Sequence, residues 1–135
     1  VATWDDVRSI ALELPETTEG TSFGNVAWKV NDKLFAWERP LRKADLVAVG
    51  TAAPRGAILG IRTDGLEMKQ VLLDSAPEIF FTTPHFDGYA AVLVRLSKIG
   101  KRRLRDVLVD AWIVRAPKKT ADAFLRADPV RSRSE

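Results

Sequence analysis

The chain has 135 residues, 46% apolar and 29% charged, with a single His and no Cys. That length suits one domain with one continuous core. The missing thiols exclude a disulfide scaffold, Cys-ligated zinc, an iron–sulfur cluster and a Cys nucleophile, and one His excludes multi-His metal sites, so no metal or cofactor is expected. The net charge of +3 is unevenly spread. Residues 1–94 carry 9 Lys/Arg and 13 Asp/Glu, a balance of −4, whereas residues 95–135 carry 12 and 5, a balance of +7. A basic final third favours a phosphate-bearing or otherwise acidic partner. No apolar run approaches the ~20 residues of a membrane span and the first residues are acidic, so no membrane association and a cytoplasmic location are expected.

Thr3-Trp4-Asp5-Asp6 has capping-box spacing, and Trp4, Val7, Ala11 and Leu14 recur at helical intervals until Pro15. Glu16-Thr17-Thr18-Glu19-Gly20 reads as a polar loop. Val26-Ala27-Trp28-Lys29-Val30 and Lys33-Leu34-Phe35-Ala36-Trp37 flank Asn31-Asp32, which predicts a tight hairpin. A two-residue loop pairs Trp28 with Phe35 and Val26 with Trp37, placing all four on one aromatic-rich face and Lys29 on the other.

Residues 39–50 read as a short helix bounded by Pro40 and Gly50, with a strand over Leu46 to Val49 as the alternative, and 51–56, with Pro54, as a loop. A strand over 57–62 precedes a second capping-box pattern, Asp64-Gly65-Leu66-Glu67, and a helix to about Asp74. Strands follow at 79–82 and 91–96, the latter apolar enough to be buried on both faces, with a turn-rich loop between. A helix over 101–115 aligns Leu104, Val107, Leu108, Ala111 and Trp112, and a short helix at about 120–127 follows Pro117. One domain over residues 1–128 with a flexible basic C-terminal tail at 129–135 is expected. Grouped strands and helices predict an α+β class: a mainly antiparallel sheet with flanking helices.

Four ordered segments carry a family likeness: Leu14-Pro15-Glu16-Thr17-Thr18-Glu19-Gly20; Ala27-Trp28-Lys29-Val30 with Lys33-Leu34-Phe35-Ala36; Ile79-Phe80-Phe81-Thr82-Thr83-Pro84-His85-Phe86-Asp87-Gly88-Tyr89; and Ala111-Trp112 through Arg115-Ala116-Pro117-Lys118. Together, over about residues 3–119, they resemble the MmcQ/YjbR family of small bacterial proteins. The resemblance implies a CyaY-like, YjbR-like α+β fold, and DNA binding through a double-wing arrangement of hairpins.

Lys101, Arg102, Arg103 and Arg105 crowd a helix N-terminus, where cations oppose the macrodipole and free amides favour anions. Arg115, Lys118 and Lys119 follow the same helix, where helix capping competes with recognition as the explanation. Lys29 and Lys33 decorate the hairpin as a candidate wing, and Arg62 and Arg95 add phosphate contacts. These eleven residues are the predicted DNA interface, non-catalytic and of low sequence specificity. The alternative is a protein-interaction or small-ligand module built on Thr82, His85, Phe86, Asp87 and Tyr89. A His85 base oriented by Asp87 lacks a nucleophile partner, so no catalytic residue is assigned. Trp28, Trp37 and Trp112 are read as core.

Overall fold

The structure is a computed structural model that describes residues 1–50 and 56–127. The loop expected around Pro54 and the tail expected at 129–135 lie outside the described residues. Helix α1 (Trp4–Glu13) opens on the expected capping box: the Asp6 amide donates to Thr3 Oγ1 at 3.2 Å and the Thr3 amide to Asp6 Oδ2 at 2.9 Å. Three strands follow as a meander, β1 (Thr17–Ser22), β2 (Asn25–Val30) and β3 (Lys33–Glu38). Both connecting turns have two residues of positive φ, 51° and 81° at Phe23 and Gly24 and 51° and 67° at Asn31 and Asp32. This is the type I′ pattern, whose twist matches that of paired strands.

Two expectations fail in this meander. The segment read as a polar loop at 16–20 is instead mostly strand β1. It is an edge strand whose central residues are exposed, so backbone pairing to β2 holds it and apolar alternation never develops. The hairpin register also departs from the expected one. Val30 pairs with Lys33 and Lys29 with Leu34, but the register then shifts, so that Trp28 opposes Ala36 and Ala27 opposes Trp37. The irregularity puts Phe35 and Ala36 together in the main core and turns Trp37 to the opposite face. Trp28 and Phe35 therefore share a face as expected, and Trp37 does not join them.

Helix α2 (Lys43–Val49), strand β4 (Ile58–Arg62) and helix α3 (Gly65–Ser75) come next. The capping box expected at Asp64 does not form: Gly65 sits at φ 76°, and Thr63 makes the local bond by donating to the Gly65 carbonyl at 2.9 Å. Strand β5 is only Phe80–Phe81, shorter than the expected 79–82. A 3-10 turn at Pro84–Phe86 leads to β6 (Ala91–Arg95), and another at Leu96–Lys98 leads to helix α4 (Lys101–Arg115), with the bounds its periodicity predicts. Helix α5 (Lys118–Ala127) starts two residues earlier than expected.

The six strands form one antiparallel sheet in the order β1-β2-β3-β4-β6-β5. One face carries α1 and α4 and holds the main core of Trp28, Phe35, Leu59, Ile61, Val92 and Val94 against Leu104, Leu108 and Trp112. Each fully buried side chain of that size contributes roughly 1.5–3 kcal/mol. The expected inner face of α4 is buried throughout, with Val109 in addition. The other face holds a smaller cluster of Ile58, Phe81, Phe86, Ala91 and Leu93, with Trp37 and Leu41 packed on it. Trp37 lies there because Gly60 makes room: a Cβ on Gly60 would stand 2.4 Å from Trp37 Cε2.

Candidate functional site

Strand direction decides which cations can act together. Glu38 pairs with Leu59 and Ile58 with Arg95, so the end of β3, the start of β4 and the end of β6 lie at one end of the sheet. Helix α4 begins just after β6, at that same end. It finishes at the other end, where Arg115 Nε donates to the Leu34 carbonyl at 3.2 Å. Fifteen residues of helix span ~22 Å. The predicted interface is thereby divided. Arg95, Lys101, Arg102, Arg103 and Arg105 stand where α4 starts. Lys33, Arg62, Arg115, Lys118 and Lys119 stand where it ends. Lys29, half-buried near the end of β2 opposite Thr18 and Leu34, lies at this second end as well. The expected pairing of a Lys33 wing with the α4 N-terminus is not what the structure brings together. The hairpin tip at the α4-start end is Phe23–Gly24, and Phe23 is 91% exposed.

At the α4-start end, Lys101 Nζ lies 3.6 Å from Asp6 Oδ1. The Thr3 amide, more than this pair, holds the Asp6 carboxyl below the usual range. Arg102 and Arg103 are exposed, and neither they nor Arg95 form an ion pair among the described residues. Arg103 and Arg95 bracket the short edge strand β5: the Arg103 guanidinium lies 5.3 Å from the Phe80 ring centre and that of Arg95 4.4 Å from Phe81. Arg95 also donates to the Pro77 carbonyl at 3.1 Å. Arg105 is half-buried and engaged in a contact of its own.

The loop of the alternative reading sits on the smaller sheet face. Phe86 is buried, its ring centre 6.4 Å from that of Trp37, so it is a core ring rather than an exposed contact of this loop. Exposed His85 meets Phe86 edge-on at 4.8 Å and makes no hydrogen bond to Asp87. Thr82 is half-buried, and Asp87 and Tyr89 are exposed.

Three buried charged side chains, none among the predicted site residues, hold this loop. Lys69 Nζ donates to the carbonyls of Phe86 (2.6 Å) and Tyr89 (2.9 Å), and burial pushes its pKa down while Asp87 opposes the shift. Arg39 and Asp45 pair at 3.0 Å with only 6% and 5% of their side chains exposed, and Arg39 lies 5.2 Å from the Phe86 ring centre. Burial raises the Asp45 pKa, but the Arg42 amide at 2.8 Å and the Arg39 charge outweigh it and hold the carboxyl below its ordinary value. Between this loop and the Phe23 tip lies a cleft of about 170 Å³ bordered by Trp37, Arg42 and His85. No helix among the described residues is long and apolar enough to cross a membrane.

Comparison with known proteins agrees with this architecture. A crystal structure of a Deinococcus radiodurans protein with a DUF419 domain superposes with a TM-score of 0.63 at 21% identity, covering 84% of this chain and 78% of that one, which is a likeness of fold. Uncharacterized proteins of Mycobacterium tuberculosis and Mycobacterium bovis are 47% identical over 128 residues, covering 93% of this chain and 97% of theirs. The YjbR family profile matches residues 12–114, spanning the described sheet and its principal helices, and the chain belongs to the YjbR family.

Proposed function

We propose that the protein is a non-catalytic DNA-binding module that grips phosphates at the end of the domain where α4 begins. The observation that carries this reading is the set Arg95, Arg102 and Arg103, three guanidiniums at one end of the sheet without a carboxylate partner among the described residues, two of them bracketing the edge strand β5. A partner there neutralises them without first breaking an ion pair. The exposed Phe23 tip, with Arg42 6.0 Å from its ring centre, supplies the projecting hairpin at the same end. Among the described residues no element presents a row of polar side chains suited to base edges, so binding follows backbone charge more than sequence.

Three phosphate contacts give a salt slope of about −2.7, hence roughly 40-fold weaker binding at 200 mM than at 50 mM salt. Fluorescence anisotropy of a labelled duplex measures this. The double variant Arg102→Gln/Arg103→Gln leaves about one contact and flattens the ratio to roughly 3–4-fold. Lys118→Gln/Lys119→Gln, at the far end, leaves it unchanged. Absence of binding at micromolar protein in 50 mM salt overturns the reading, as does equal loss from both double variants.

The cleft beside His85 supports a second reading, a small-ligand or protein-docking role for the 82–89 loop. Under it, His85→Ala alters binding of the partner and the Arg102/Arg103 variant does not.

A further inference from the structure

The sheet has two edges, and they are built differently. The β5 edge is two residues long and stands between the Arg95 and Arg103 guanidiniums, which blunt it. The β1 edge has six residues, its register with β2 is unbroken, and Thr18, Glu19, Gly20 and Thr21 are exposed. It contains no Pro, Lys or Arg, the residues that commonly protect an edge. Its one charge, Glu19, is turned onto the helix-bearing face: the carboxylate accepts from Trp28 Nε1 at 3.1 Å and pairs with Arg8 at 3.1 Å.

The turn at Phe23–Gly24 fixes which backbone groups of β1 are open. A two-residue hairpin closes on a hydrogen-bonded pair, here Ser22 with Asn25, and bonded pairs then recur at every second residue. Gly20 with Ala27 and Thr18 with Lys29 continue the series, and the Asn31 amide extends it by donating to the Glu16 carbonyl at 3.4 Å. Thr17, Glu19 and Thr21 therefore aim their N–H and C=O groups outward, on the side where β1 has no neighbouring strand.

We propose that a second copy of this chain pairs antiparallel with β1 about a twofold axis at Gly20. An axis perpendicular to the sheet keeps every side chain on its own face, so Gly20 meets its own counterpart, Glu19 lies opposite Thr21, and Thr18 lies opposite Ser22. The outward groups of Glu19 and Thr21 then bond each other on both sides of the axis. Moving the axis to Glu19 sets two carboxylates face to face, and moving it to Thr21 runs Glu19 into the Phe23 turn; the axis at Gly20 avoids both. Six small or hydroxyl-bearing positions a side bury far less than the ~1,600 Å² of a standard interface, so the dimer dissociates on dilution. This surface uses no cation of the DNA reading, and either can fail alone.

Sedimentation velocity of the full chain from micromolar to millimolar protein tests it. The mass rises from 15.0 kDa toward twice that value. Thr21→Pro deletes an outward amide and no β1–β2 bond, so it weakens association at least tenfold. Thr21→Glu sets a second carboxylate opposite Glu19 and also weakens association at least tenfold, whereas Thr21→Lys associates at least as tightly as the wild type. Thermal melting checks the fold of all three, and the Glu and Lys variants, which keep the amide, decide independently of the Pro variant. A monomer throughout the range overturns the proposal. So does wild-type association in folded Thr21→Pro or in Thr21→Glu, or weakened association in Thr21→Lys.

Discussion

Replacing Asp45 by Ala isolates the device that fastens the second sheet face. In the wild type, the Asp45 carboxylate accepts from the Arg42 amide at 2.8 Å and lies 3.0 Å from the Arg39 guanidinium, with both side chains almost wholly shielded from water. Removing one member of such a pair costs about 3–5 kcal/mol, because the other charge stays buried and uncompensated. Arg39 keeps a hydrogen bond to the Pro40 carbonyl and its place over Phe86, which moves the expected loss toward ~3 kcal/mol. Urea unfolding with an unchanged m-value measures this. The Arg39→Met/Asp45→Leu double variant, which buries no charge, lies much closer to wild type. Acid gives a second readout. The folded-state pKa of Asp45 is depressed, so the unfolded chain binds the proton more readily. The stabilisation is whole above about pH 5 and is lost as pH falls through the folded-state pKa; Asp45→Ala lacks this contribution. A loss below about 1 kcal/mol for Asp45→Ala refutes the argument, since that is the scale of an exposed pair.

Two further substitutions probe the same face. Gly60→Ala puts a methyl group 2.4 Å from the Trp37 ring, so the indole must shift; a loss of roughly 1–3 kcal/mol and altered tryptophan near-UV dichroism are expected, and a neutral or stabilising effect would sink the packing account. Lys69→Met keeps the apolar stem and deletes both charge-assisted bonds to the Phe86 and Tyr89 carbonyls, costing about 2 kcal/mol and accelerating amide exchange over 84–89; unchanged exchange there contradicts the clamp.

How much of this was legible follows from where each residue finds its partner. The α4 core face, the Asn31–Asp32 turn and the α1 cap are written in spacings of two to seven residues, and all three form. The register error in the β2–β3 hairpin has a different source. Perfect alternation puts Trp37 with Trp28, yet the sheet has a second apolar cluster, supplied by β4, β6 and the turn holding Phe86, and the bulge delivers Trp37 to it. No window of local sequence contains that competition. Gly60, isolated in an otherwise apolar strand, was the available hint that a ring approaches the backbone closely. Lys69 gave none: a lysine on a helix reads as solvated, and its acceptors lie 17 and 20 residues away. The cation list was also one-dimensional. Crowding after residue 95 is a property of chain order, and an antiparallel sheet with a helix of ~22 Å divides those charges between two ends.

That division changes what the charge asymmetry means. At physiological ionic strength the Debye length is about 8 Å, so two sets of exposed cations ~22 Å apart scarcely feel one another's counterions. They act as separate sites rather than as one field. In the α4-start set Arg102 and Arg103 are exposed and, among the described residues, without a carboxylate partner, which suits a polyanion that slides over a surface. Arg62, at the other end, is partly buried beside an apolar cleft that Asp64 and Asp110 also border, where a duplex phosphate finds no open cationic surface. Burial decides the difference: an exposed guanidinium exchanges water for phosphate at little cost, whereas the sealed Arg62 Nε–H can reach no phosphate and adds nothing to such a grip.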